Sequence, residues 1–233
     1  MLQPFLDLLL PAGCAGCGAV GDLVCDGCLG SLTRPPERAV PTPCPEGLPQ
    51  VWAACEYDGP VRRLLVAHKE RGRHDLTPVL GLLLGRAVSA ATGVGRPALV
   101  VPVPSRPSSA RQRGYDHARR LAARAAATAP GPLVAGHVLR LQAAVADQGG
   151  LDAAARSRNL AGAIVATRPL TDWPLVVVVD DVMTTGSTVA ECAGPPRCRS
   201  RRCPGRGGRR HQTMGEPSRR SRAGASVSEA GEM

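Results

Sequence analysis

Apolar positions along the chain follow two patterns. LVVPVP (Leu99 to Pro104), the segment Ala163 to Ala166 and VVVV (Val176 to Val179) are continuous apolar runs. Such runs suit strands buried on both faces, because a half-exposed strand would alternate. Pro60 to Glu70, Leu76 to Ala91 and Tyr115 to Ala127 carry apolar residues at helical spacing and predict helices. A short strand is expected at Val138 to Leu141, a polar, Gly-containing loop at Gln148 to Arg158, and a helix starting near Val189. Phe5, Leu8 and Leu9 stand at helical spacing and suggest a short amphipathic helix. Strands alternating with helices predict an α/β fold with a mainly parallel sheet.

The pattern fails after Ala193. GPPRCRSRRCPGRGGRR has no periodicity, and the stretch 193–233 reads as a disordered basic tail. The remaining chain divides into a Cys-rich module at 1–33, a Pro-rich linker at 34–50 and an α/β domain at 51–192, truncated at its C-terminal end. The tail also admits another origin. Gly205 to Gln212 can be written in G/C-rich codons that, read one base later, encode Ala-Ala-Val-Val-Val-Ala-Thr, a strand-like segment. A frameshift would then account for the change of composition. It would leave the helix after Val189 cut short and the Val176 strand beside an unpaired edge.

Charge changes this picture little. The formal charge is +10, but the tail holds ten Arg against three Glu, leaving residues 1–192 with only +3. The pI therefore reports the tail rather than a nucleic-acid surface. Aromatics make up 2% and are scattered, so stacked single-stranded DNA is not expected. No apolar run is long enough to span a bilayer. MLQPFLDLLLPAGC has a small-residue pair before Cys14, like a lipoprotein signal, but contains Asp7 and Pro11 and lacks a basic start. A cytoplasmic location is expected.

Cys14-x-x-Cys17 and Cys25-x-x-Cys28 have the spacing of a four-cysteine zinc site. Two disulfides are the alternative, disfavoured in a reducing compartment. Zinc would replace the core that so short a segment cannot build. Cys44, Cys55 and Cys192 have no spaced partner and read as ordinary thiols.

The stretch VVVVDDVMTTGST carries the main candidate chemistry. Ligands of open α/β sheets bind beyond the carboxyl ends of the strands, where Asp180 and Asp181 fall. Thr184, Thr185, Gly186, Ser187 and Thr188 offer backbone N–H groups and hydroxyls to an anion such as a phosphate. The two carboxylates would accept hydrogen bonds from the vicinal hydroxyls of a sugar, or gain from a nearby divalent cation. A buried strand followed by an Asp-capped helix, with Thr as turn filler, is the plainer reading.

This stretch resembles the diphosphate-sugar signature of type I phosphoribosyltransferases. EYDGPVRRLLVAHKERG at Glu56 to Gly72, VPVPSRPSSARQRGYDHARRLA at Val101 to Ala122, DQGGLDAAARSRNLAGA at Asp147 to Ala163 and the cysteine pairs extend the resemblance to the ComF family, competence-associated phosphoribosyltransferase-like proteins. The resemblance covers most of residues 1–192, with Asp116 where the family usually has Asn. It implies a type I phosphoribosyltransferase-like sheet with helices on both faces, preceded by a zinc-ribbon-like module. It implies a ligand like 5-phosphoribosyl 1-diphosphate, with Mg²⁺, beside structural Zn²⁺. Arg113 and Gly114, with Lys69, Gln148 and Asn159, match family positions and would serve the diphosphate. Arg106 and Arg111 are either further phosphate contacts or a solvated basic loop, and Lys69 is equally explained as an exposed helix-end lysine. Arg156 would close on the leaving diphosphate from a loop, and Arg156, Asp180 and Asp181 are the catalytic candidates.

Two functions follow. One is transfer of a phosphoribosyl group to an unknown acceptor, a glycosyltransferase activity. The other is a non-catalytic competence accessory acting through protein partners, such as a competence helicase or other DNA-uptake proteins, or an inactive truncated product. Protein partners are expected over direct DNA contact.

Overall fold

A computed structural model describes residues 13–105, 114–142 and 162–194 and the backbone of a strand at 222–228. The expected N-terminal helix at Phe5 to Leu9 and the loop around Gln148 to Arg158 lie outside these residues, as do Arg106, Arg111, Arg113 and Asn159.

Among the described residues, thirteen α-helices and strands follow in chain order. They are α1 (Asp26–Leu32), β1 (Glu37–Arg38), β2 (Val51–Glu56), α2 (Gly59–Glu70), α3 (Thr77–Thr92), β3 (Ala98–Pro102), α4 (His117–Thr128), β4 (Leu133–Ala135), β5 (Leu139–Leu141), β6 (Ile164–Ala166), β7 (Val176–Val179), α5 (Ser187–Ala193) and β8 (Arg222–Ser228). One 3-10 turn, His74–Leu76, lies between α2 and α3. Five elements foreseen from periodicity, α2, α3, β3, α4 and β7, form within about two residues of expectation.

Six strands form one sheet in the order β1-β2-β8-β7-β3-β4, and β5 pairs with β6 in a separate hairpin. β3 lies parallel to β4 and to β7, with Leu99 opposite Val176 and Val101 opposite Val178. Every residue of β3 and β7 is buried, which explains their unbroken apolar runs. Ala98, Val100, Val177 and Val179 face a core shared with Leu64 of α2, Leu84 and Val88 of α3, and Leu121 and Ala125 of α4. Leu99, Val101 and Val176 face the other side, against Val138 and Leu139. Val189 of α5 covers the same sheet at Val51 and Ala53. Helices therefore lie on both faces, with a small hairpin completing the second.

α3 and α4 pack closely because glycine replaces side chains at their contact. A Cβ on Gly81 would stand 2.3 Å from Arg124 Cγ, and one on Gly85 2.8 Å from Thr128 Oγ1.

Three expectations are corrected. The sheet is mixed rather than mainly parallel: β8 runs antiparallel to both β7 and β2, and β1 antiparallel to β2. Within the stretch expected to be a disordered tail, Arg222–Ser228 forms a seven-residue strand. The physical reason is the same for both. β2 and β7 each present a ladder of backbone groups that must find partners, and AGASVS is a small, uncharged segment among arginines. Consequently the β7 edge is paired, not open. Finally, the Pro-rich stretch 34–50 packs on the body: Ala39 is 2% exposed and donates its N–H to Val51 O at 2.9 Å.

Candidate functional site

β7 delivers Asp180 and Asp181 at its carboxyl end. They border an open cleft of about 370 Å³, lined by Lys69, Val103, Pro104, Ser105, His117, Ala118, Asp180, Asp181, Val182 and Thr184. Beneath them lies an apolar cavity of about 30 Å³ walled by side chains that include Leu65, Leu80, Leu84 and Leu121. The carboxylates thus stand between a polar cleft and a hydrophobic floor.

Their electrostatics diverge. Burial, then the charge of Asp181, raise the Asp180 carboxyl well above its ordinary range. Burial acts on Asp181 in the same direction, but its bond to His117 and the charge of Lys69 outweigh it and hold that carboxyl below the usual range. Lys69 Nζ donates to Asp181 Oδ2 at 2.8 Å, and His117 Nε2 lies 3.4 Å from the same oxygen. Asp181 Oδ1 accepts the Val182 N–H at 3.0 Å, and Asp180 Oδ1 accepts the Asp181 N–H at 2.9 Å. Lys69 is therefore more than an exposed helix-end lysine: it reaches the end of β7 from the last turn of α2.

The Thr184 to Thr188 loop turns beside the cleft. Gly186 has φ +74, the left-handed conformation that favours glycine. A Cβ there would also meet Leu48 Cδ1 at 3.1 Å and Pro41 Cγ at 3.2 Å, so the Pro-rich stretch lies against this loop. Thr185 Oγ1 and Ser187 Oγ are 3.1 Å apart. Thr184 lines the cleft. α5 starts at Ser187, two residues earlier than expected, and its helical hydrogen bonding stops with Gly194 N bonded to Ala190 O.

His117 was not singled out by its motif, whereas Ser105 belongs to the loop after β3 expected to face a diphosphate. Ser105 Oγ donates to Asp116 Oδ1 at 3.0 Å, and Asp116 caps α4 by accepting the Arg119 N–H. That cap sets the first residue of α4, His117, against Asp181. Of the other expected residues, Gly114 has φ +71 and precedes Tyr115, whose hydroxyl donates to His68 O. Gln148, Arg156, Arg113 and Asn159 lie outside the described residues, so the cleft is assembled here from Lys69, Asp180, Asp181 and the Thr184 loop.

The cysteine module forms a second site. The sulfurs of Cys14, Cys17, Cys25 and Cys28 all lie within 4.8 Å of one another. Four sulfurs about 2.3 Å from a tetrahedral ion stand about 3.8 Å apart, so these four can hold a metal ion such as zinc with small adjustment. Gly16 N–H and Cys25 N–H point at Cys14 Sγ, at 3.4 and 3.3 Å. The Cys25 bond, first among several, lowers the Cys14 thiol to about 6. Burial, then the neighbouring sulfurs, push Cys28 up to about 12. A Cβ on Gly16 would fall 2.7 Å from Cys28 Sγ, so the turn needs glycine there. The module is not a separate body. Cys14, Val24, Cys28 and Leu32 belong to the main core, Arg63 Nε donates to Gly16 O, and Arg86 donates to the carbonyls of Leu32, Thr33 and Arg34 that end α1.

Among the described residues no helix is long and apolar enough to cross a membrane. Comparison of the chain with protein-family models, with curated proteins and with solved structures found no match.

Proposed function

We propose that the cleft binds a 5-phosphorylated ribose, specifically 5-phosphoribosyl 1-diphosphate with Mg²⁺, and that the chain is a cytoplasmic ComF-type phosphoribosyltransferase-like protein. The observation that carries this reading is the order of groups at the end of β7. Two carboxylates, one ionised by Lys69 and His117 and one disfavouring charge, are followed directly by the Thr184 to Thr188 loop beside the 370 Å³ cleft. The carboxylates suit vicinal hydroxyls, and the loop suits a phosphate. In transfer, a nucleophilic atom of the acceptor would bond to C1 of the ribose while the diphosphate leaves with the electron pair of the broken C–O bond. Bound Mg²⁺ would supply charge neutralisation to that diphosphate. Zn²⁺ is proposed at the four cysteines as a structural ion.

A second reading, a non-catalytic competence protein working through partners, draws support from Asp181. Its Oδ2 already meets two nitrogen donors, so a sugar must compete for it. Calorimetry with 5-phosphoribosyl 1-diphosphate and Mg²⁺ tests the first reading. Saturable binding at micromolar to millimolar concentration supports it, and no heat at any concentration in that range rejects it.

A further inference from the structure

The cleft contains one buried polar side chain that the motifs leave without a task. His117 is the first residue of α4, and its side chain is 7% exposed. Nε2 lies 3.4 Å from Asp181 Oδ2. Nδ1 is buried and has no hydrogen-bond partner among the described residues. Burying an unbonded nitrogen costs free energy that an apolar side chain of similar size does not. The imidazole thus has one polar contact, and that contact is Asp181. Its place is set by the backbone, because Asp116 caps the helix one residue earlier and is itself held by Ser105.

We propose that His117 is a positioning residue of the cleft: its Nε2–H fixes Asp181 Oδ2 in orientation and in charge, jointly with Lys69. The two partners differ in kind. Lys69 stands on a long flexible stem with its side chain 32% exposed, whereas the His117 ring is enclosed. An anionic ligand entering the cleft draws Lys69 towards itself, and His117 is the partner that stays. His117 itself meets Asp181, follows Asp116 and acts by its charge on His68, which also feels His74, Asp181 and Arg120. Lys69 shares Asp181 Oδ2, and the charges of both Asp181 and Lys69 bear on Asp180. The ligand named in the test rests on the sugar-phosphate reading, while the contact with Asp181 does not.

Three variants separate this role from packing. In His117→Gln the amide nitrogen takes the place of Nε2. In His117→Asn the amide is too short to reach Asp181, and His117→Leu has none. Two measurements apply to each: the Asp181 carboxyl followed by carbon NMR through the acid range in which the chain stays folded, and calorimetry with ribose 5-phosphate and Mg²⁺. Wild type and His117→Gln are expected to keep Asp181 ionised through that range and to bind alike. In His117→Leu and His117→Asn, Asp181 is expected to titrate within the range, with ribose 5-phosphate bound about tenfold more weakly. The proposal is overturned if His117→Leu and His117→Asn keep Asp181 ionised, or if His117→Gln shifts it as much as they do. Should His117→Leu fail to fold, His117→Asn against His117→Gln decides. If wild type binds no ribose 5-phosphate, the sugar-phosphate reading falls, and the Asp181 titration alone decides the role of His117.

Discussion

Lys69 Nζ and Asp181 Oδ2 meet at 2.8 Å, joining the C-terminal turn of α2 to the loop after β7. The pair is unequal, with the Asp181 side chain 6% exposed and the Lys69 side chain 32%. An enclosed carboxylate depends on its partners far more than an exposed ammonium does. Lys69→Met should therefore cost about 1–3 kcal/mol of stability, by leaving Asp181 Oδ2 with His117 alone. Urea unfolding checks this, and a variant as stable as wild type would show that His117 suffices.

Asp181→Asn tests the carboxylates as a sugar site. Its affinity for 5-phosphoribosyl 1-diphosphate should fall by about tenfold or more, with cooperative unfolding retained. Affinity equal to wild type would mean that the end of β7 serves only as a turn and cap.

Purified protein should contain one zinc ion per chain, readable by elemental analysis. Gly16→Ala should lower its metal affinity while leaving the cysteines intact, because the added methyl presses on Cys28 Sγ. A metal-free protein with four freely titrating thiols would dismiss the zinc assignment.

His68 gives the fold an acid limit. Burial first, then the charges of His117 and His74, lower its imidazole to about 4. The unfolded chain, with an ordinary histidine near 6.5, binds a proton that the folded chain refuses. Stability should consequently fall as pH drops from about 6.5 towards 4, and stay flat in this respect above 7. Melting temperatures of wild type and His68→Gln across that window provide the check; equal slopes would remove His68 as the cause.

Removing residues 195–233 deletes β8 and should cost more stability than any single substitution above. β8 pairs with β2 along five residues and with β7 along four. The shortened chain is expected to bind hydrophobic dyes and to unfold at lower urea. Unaltered unfolding would mean that β8 adds nothing to the sheet.

What the sequence made legible was local. The spacing of the two cysteine pairs pointed to a four-sulfur cluster within one short segment, and the valine run of β7 admits few alternatives. β2 was harder, because VWAACE neither alternates nor runs apolar throughout, and its neighbour β1 hides among prolines. Contacts across distance were not legible at all. Neither Lys69 nor His117 carries any sign that it meets Asp181, since only the closing of β3 on β7 brings α2, α4 and that loop to one point. Composition also misled in the tail, where the seven-residue segment RAGASVS forms a strand because two waiting edges need one.

β8 occupies an unusual place in time as well as in space. It is synthesised after every other described element, yet it lies between β2 and β7, which do not touch in register without it. Until Ser228 has been synthesised, neither β2 nor β7 can have its full β8 partner. The pairing of these two parts of the sheet waits for the strand that comes last among the described elements. Such late, distant pairing is slow and leaves strand edges open to other chains. Yield during expression should thus depend on temperature and on chaperones more steeply than a small α/β domain of this size otherwise would.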